Sequence, residues 1–172
     1  MLTALTLLFV QGLFGTFDTI YYHEYKLRLP SQQHARNELR LHALRDFVYA
    51  ILFCLIGWVT WDGLWAWLFL ALLLAEIILT LSDFLEEDRT RKLPPGERIM
   101  HALMGSIYGI FLAYLLPNAW AWTHVATGFR HVSYGWLSWV LSAMAVGVFL
   151  SGVRDMVSAQ RQKEWPQLPH QK

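Results

Sequence analysis

The chain has 172 residues, of which 55% are hydrophobic and 15% aromatic, while only 16% are charged. A soluble domain is about 45–50% apolar and about one quarter charged, so this composition favours a membrane protein. The net charge of +1 provides no broad basic surface and argues against a nucleic-acid-binding protein. The single Cys54 excludes an internal disulfide and a zinc site built from several cysteines.

Five apolar segments approach the length of about 20 residues that crosses the hydrocarbon core of a bilayer. They cover residues 2–22, 41–61, 64–85, 99–116 and 134–153. The first lacks the positively charged start and the small-residue cleavage site of a signal peptide, so we interpret it as a retained helix. The sequence therefore predicts an all-α, multi-pass transmembrane helical bundle with five spans over residues 1–157, followed by a polar cytoplasmic tail over residues 158–172.

Helix boundaries follow from proline and glycine. Residues 31–61 contain neither before Gly57, which predicts one helix of about 30 residues whose first third projects from the membrane. Pro94 and Pro95 precede the fourth helix, and Pro117 is expected to end it.

Positive charge sets the predicted orientation. Lys and Arg residues concentrate in the loops after the first and third spans and in the C-terminal tail, whereas only Arg130 lies on the opposite side. The positive-inside rule then puts the N-terminus outside and the C-terminus in the cytoplasm, in a cytoplasmic membrane of bacterial type. The outer ends of the spans carry the tryptophans expected of an interfacial belt: Trp58, Trp61, Trp65, Trp67, Trp120, Trp122, Trp136 and Trp139.

Ionisable residues recur within or beside these spans, where each costs from about 3 kcal/mol upward. On the second helix His34, Glu38, His42 and Asp46 recur every four residues, and on the third Glu76, Asp83 and Glu87 follow a similar stripe. On the fourth helix Glu97 and His101 are four residues apart, with Tyr108 further along the same side. Such spacings place side chains on one helix face, and all of them fall in the cytoplasmic half.

We interpret these stripes as a metal site, because imidazole nitrogens and carboxylate oxygens without thiolate suit iron, manganese or zinc. Iron is preferred, and two ions bridged by carboxylates would explain why so many acids tolerate one another. The predicted inner ligands are His42, Asp46, Glu76, Asp83 and His101. The residues His34, Glu38, Glu97 and His23 would complete a second ion or orient the first ligands, and Asp18, Glu24, Tyr49, Tyr108 and Glu87 would support them.

These ligand types resemble those of the ferritin-like di-iron carboxylate bundles, in which helices supply Glu and His inward. The resemblance covers residue types only. Those proteins pair Glu-x-x-His, whereas Glu38 and His42, like Glu97 and His101, are separated by four positions. The catalytic residues stay unassigned.

The functional interpretation is a redox or hydrolytic metalloenzyme acting on a lipid-like substrate, with membrane lipid as its surroundings and no nucleic acid partner. Two alternatives stay open: a proton or cation transporter, and a non-catalytic assembly or docking protein. A haem protein with His42 and His101 as axial ligands is a narrower alternative. The sequence also leaves open a homo-oligomer.

Overall fold

A computed structural model describes residues 1–32 and 35–162, which form a bundle of five long helices. The helices are α1 (Leu2–Phe17), α2 (Arg36–Ile56), α3 (Leu64–Thr90), α4 (Pro95–Thr123) and α5 (Trp136–Arg161). The chain of α1 continues without a break into a π-helix, Asp18–Lys26, and a short 3-10 turn, Leu29–Ser31, follows it. The predicted helical class is therefore confirmed.

A two-stranded antiparallel ribbon closes one end of the bundle. Strand β1 (Val59–Asp62) pairs with strand β2 (Gly128–His131), so that the α2–α3 connection is tied to the α4–α5 connection. Arg130 crosses the ribbon and donates hydrogen bonds of 2.5 and 3.2 Å to the buried Asp62. The hydrogen bond from Arg130 lowers the pKa of the Asp62 carboxyl. The sequence analysis assigned no strand here.

Among the described residues, four helical segments are long and apolar enough to cross a membrane: Leu2–Lys26, Leu64–Thr90, Pro95–Thr123 and Trp136–Arg161. Large apolar side chains such as Leu74, Ile78 and Ile110 point outward from the bundle, as expected of a surface that faces lipid. Helix α2 is not among the four. Its charged half includes the buried Glu38 and His42, which face other helices instead of the surroundings. The fifth span and the orientation stay predictions.

Two predicted boundaries differ from the structure. Helix α4 does not end at Pro117 but continues to Thr123 with the proline inside it. A proline removes one backbone donor, a loss that apolar helices tolerate where local partners compensate. Asn118 donates a hydrogen bond of 2.8 Å to the Tyr114 carbonyl at this point. Helix α2 is also shorter than predicted, because the chain after Ile56 turns into the ribbon.

The ribbon half of the bundle has an apolar core, and α2 and α5 form its closest helix pair. A Cβ atom on Gly57 would lie only 3.2 Å from the Ser138 Cα atom, so the close approach of these two backbone segments favours a glycine at this position. The buried Ser138 hydroxyl donates a hydrogen bond of 2.6 Å to the Gly57 carbonyl. The buried ionisable side chains, apart from Asp62, lie toward the opposite end of the helices.

Candidate metal centre

Five chain segments bring ionisable side chains together at the end of the bundle remote from the ribbon. The π-helix contributes Asp18 and His23, α2 contributes Glu38 and His42, α3 contributes Asp83 and Glu87, α4 contributes Glu97 and His101, and α5 contributes Asp155. All are buried except His101, whose side chain is 11% exposed. We call these nine residues the polar cluster.

Within the polar cluster, two sets of ligand atoms are close enough to hold a metal ion. One set comes from His23, Glu87, Glu97 and His101, and the other from Glu38, His42 and Glu87. The atoms of each set lie within 4.8 Å of one another, a separation compatible with ligands about 2.0–2.2 Å from a shared ion after a small contraction. Glu87 belongs to both sets, so its carboxylate lies between the two groups of ligand atoms.

The imidazole rings connect the two sets. His23 stacks on His42 with ring centroids 4.6 Å apart and ring planes only 4° from parallel. His101 lies with Nδ1 3.5 Å from a Glu87 oxygen and Nε2 3.4 Å from an Asp18 oxygen. Each histidine therefore has a carboxylate beside it, as is usual for metal-ligating imidazoles.

Several atoms of the polar cluster are buried without a hydrogen-bond partner among residues 1–32 and 35–162. They are carboxylate oxygens: Oδ1 of Asp18, Oδ1 of Asp83 and Oε2 of Glu87. A buried polar atom left without a partner costs about 1–3 kcal/mol. A bound cation would remove this cost, because the unpaired atoms are lone-pair donors of the kind that metals take.

The π-helix explains how α1 reaches the cluster. Asp18 and His23 are five residues apart, which on an α-helix would separate their side chains by about 140°. A π-helix bonds residue i to residue i+5 and so stacks such a pair. Oδ2 of Asp18 accordingly lies 3.5 Å from Nε2 of His23, which is itself 3.5 Å from Oε1 of Glu97. Short π segments occur frequently at functional sites.

Arg91 contacts the polar cluster, and no role for it was predicted from the sequence. Its guanidinium reaches oxygens of Glu38, Glu87 and Glu97 at 2.9, 3.1 and 2.8 Å. Burial opposes the charged form, but hydrogen bonds to Glu97 and Glu38 raise the pKa of Arg91 above its ordinary value. The available signal was its position four residues after Glu87.

Arg45 is a second missed cation. Its Nη1 atom donates a hydrogen bond of 2.8 Å to Oδ2 of Asp83, which also lies 3.0 Å from Nε2 of His42. Its partner is 38 positions away in sequence, and no local spacing indicates such a pair. Asp155 pairs with its neighbour Arg154 at 2.7 Å and also lies 3.8 Å from His42.

The charges of the region do not balance among themselves. Arg45, Arg91 and Arg154 contact carboxylates, whereas Glu24 and the six acids of the polar cluster carry seven carboxyl groups. If all seven carboxyl groups were ionised and the imidazoles neutral, four negative charges would be left over, which two divalent cations would neutralise. Protons on the three imidazoles are the competing way to offset most of it.

Some predicted site residues lie outside the two ligand sets. Asp46 and Glu76 line a cavity beside the polar cluster instead, together with Tyr49 and Tyr108. Glu24 pairs with Arg154. His34 lies outside the described residues, as does the tail beyond residue 162.

The cavity has a volume of about 680 Å³, is lined by residues of all five long helices and is partly open to the surroundings. Its wall includes Asp18, His23 and His101 at one end and Gln11 and Glu76 further toward the apolar core. Most of the remaining lining is apolar, including Phe53, Leu81 and Phe84. A chamber of this size and lining suits a drug-sized or lipid-sized ligand.

No protein-family model, curated protein or solved structure matches this chain.

Proposed function

We propose that this chain is an integral membrane metalloenzyme whose polar cluster holds two metal ions, and that it carries out a redox or hydrolytic reaction on a lipid-like substrate. The observation that carries the proposal is Glu87, which is shared between two sets of ligand atoms that also contain three imidazoles. Nitrogen and oxygen donors without sulfur favour iron, with manganese or zinc as alternatives.

The protein residues have separable roles in this proposal. His23, His101 and Glu97 would hold one ion, and Glu38 and His42 the other, with Glu87 between them. Asp18 and Asp83 accompany the imidazoles and would fix their orientation. Bound metal would supply activation of oxygen or water near the cavity.

The cavity supports the substrate class. Its wall combines ligand-bearing residues such as His101 with apolar side chains from helices that meet the membrane criterion. A lipid-like molecule could therefore bind in this cavity with one part beside the cluster and the rest of its chain in apolar surroundings.

Elemental analysis by mass spectrometry, with an absorption spectrum of the same detergent-purified sample, tests the proposal. We expect about two equivalents of iron, manganese or zinc per chain, one for each ligand set. The variants His42→Ala and His101→Ala should each lose about one ion, and Glu87→Gln should lose both. Glu86→Gln, beside Glu87 on the same helix, and His124→Ala, which lies outside the cluster, are matched controls.

A metal-free wild-type protein purified without chelator, and unable to take up added metal, would exclude the proposal. The Arg91 network would then be a structural ion-pair core. Transport fits less well, because the core between the cavity and the ribbon is apolar. Docking also fits less well, because Glu38, Glu87 and Glu97 are buried and are inaccessible to a soluble partner.

A further inference from the structure

Glu76 marks a second polar position in the cavity, apart from both ligand sets. It lies on α3 eleven residues before Glu87, a separation of about 16 Å along a helix. The side chain is buried, and its Oε1 atom accepts a hydrogen bond of 2.7 Å from Thr80. The other oxygen, Oε2, has no hydrogen-bond partner in the described part of the chain.

Tyr108 lies opposite on α4 and has the complementary group. Both residues line the cavity together with Tyr49, and the Tyr108 and Tyr49 hydroxyls both lie close to the Glu76 carboxyl. The geometry between the Tyr108 hydroxyl and Glu76 falls short of a hydrogen bond, so neither this hydroxyl nor Oε2 of Glu76 has a well-aligned partner among residues 1–32 and 35–162. The cavity therefore contains one carboxylate oxygen and one hydroxyl that face the same space. Both are buried, where a polar group without a hydrogen-bond partner destabilises the protein.

Three glycines keep the cavity wall open. Gly15, Gly105 and Gly147 belong to α1, α4 and α5, and all three line the cavity. A Cβ atom at any of them would meet no atom within 4 Å. Gly105 and Gly147 are exposed on the surface of the bundle, so at these two positions the cavity wall is open toward the surroundings.

We propose that Glu76 and Tyr108 bind the hydroxyl group of a membrane-soluble lipid inside this cavity. A hydroxyl both donates and accepts, so one such group can donate to Glu76 and accept from Tyr108. An ether or a carbonyl only accepts and would leave Glu76 unpaired. An ammonium ion is less suited, because Arg45 already supplies positive charge near Glu76.

The ligand would then extend from Glu76 toward His101, since the cavity includes both. Its hydroxyl group would be bound by Glu76 and Tyr108, and its chain would pass the polar cluster. This assignment deepens the proposed function by naming the substrate class, but the binding itself requires no metal.

The test is photolabelling of the full-length protein in phosphatidylcholine nanodiscs with a long-chain primary alcohol that carries a diazirine. Competition with the unmodified alcohol should abolish the label, and its methyl ether should compete about tenfold more weakly, as expected for one lost buried hydrogen bond. An alkyl hydroquinone is tested as a second type of hydroxyl-bearing competitor. Competition by the alcohol or the hydroquinone that is stronger than competition by the methyl ether supports the site. The better competitor of the two then identifies the type of ligand.

Variants locate the site. Tyr108→Phe and Glu76→Gln should each weaken alcohol competition about tenfold, and Gly105→Leu should abolish labelling by filling the cavity. Gly109→Leu is the matched control, because Gly109 lies one turn further along α4 with equally open surroundings but does not line the cavity. Because the alcohol–ether comparison needs no variant, a variant that fails to fold leaves the test intact.

Equal competition by alcohol and ether would overturn the assignment, as would unchanged competition in a folded Tyr108→Phe protein. Metal content measured on the same samples separates the two proposals. A wild-type protein that prefers the alcohol but binds no metal refutes only the proposed metal centre. A protein that binds metal but does not distinguish alcohol from ether refutes only this inference.

Discussion

Replacing Arg91 with glutamine tests whether the polar cluster depends on a buried cation. The Arg91 side chain is 8% exposed and donates to three carboxylates that are almost completely buried. Removing one partner of a buried charge pair costs about 3–5 kcal/mol, because the other charge is left uncompensated. For a chain of this size such a loss lowers the melting temperature by roughly 10 °C.

The assay is thermal unfolding of detergent-purified protein, first with a chelator and then with manganese or zinc. We expect Arg91→Gln to melt roughly 10 °C below wild type in chelator. Metal at about 100 times its dissociation constant should restore about 2.7 kcal/mol, since it would neutralise the same carboxylates. Arg89→Gln is the control, because Arg89 is 76% exposed and its pair with Glu86 is long, at 4.0 Å. An Arg91→Gln protein that melts like wild type in chelator would refute this reasoning.

Two further predictions concern the ribbon half of the molecule, and a third concerns its orientation in the membrane. Because Arg130 lowers the pKa of Asp62, this pair stabilises the fold fully above the ordinary carboxyl pKa of 3.8, and its contribution is lost as the pH falls through the lowered value. The difference in melting temperature between wild type and Asp62→Asn should therefore shrink below about pH 4. A difference that stays constant with pH would contradict this prediction. Ser138→Ala should lower the unfolding free energy by about 1–3 kcal/mol by removing its buried hydrogen bond to the Gly57 carbonyl, whereas an unchanged melting temperature would indicate that the bond contributes nothing. In intact cells and a cysteine-free background, a membrane-impermeant maleimide should label Ser133→Cys but not Arg89→Cys, and the reverse pattern would invert the predicted orientation.

The sequence was sufficient for the helical bundle because long apolar runs report directly on membrane helices. It was less informative about α2, whose charges made it ambiguous: Glu38 and His42 are buried, a fact that spacing alone cannot establish. Pro117 was misleading because a proline removes only one backbone donor, and α4 continues through it. The ribbon was missed because four-residue strands carry almost no periodic signal.

For the candidate site, the sequence likewise predicted neighbours within one helix better than contacts between helices. Periodicity identified Glu97 and His101 as neighbours because they are four residues apart on one α-helix. Glu76 satisfies the same spacing rules but lies away from the ligand sets, since its depth along α3 differs from that of Glu87. Arg45 reaches its partner only through tertiary packing. Contacts between helices depend on their relative height and rotation, which one-dimensional patterns do not contain.

The π-helix makes the site sensitive to residue count as well as to residue identity. Deleting one residue between Asp18 and His23 would leave every proposed ligand in the chain but set these two four positions apart. The segment could then relax to an ordinary α-helix and still keep the pair on one face. Inserting one residue would instead leave neither helix type able to align them. We therefore expect a length change to be tolerated in one direction only, an asymmetry that residue-by-residue substitution would never detect.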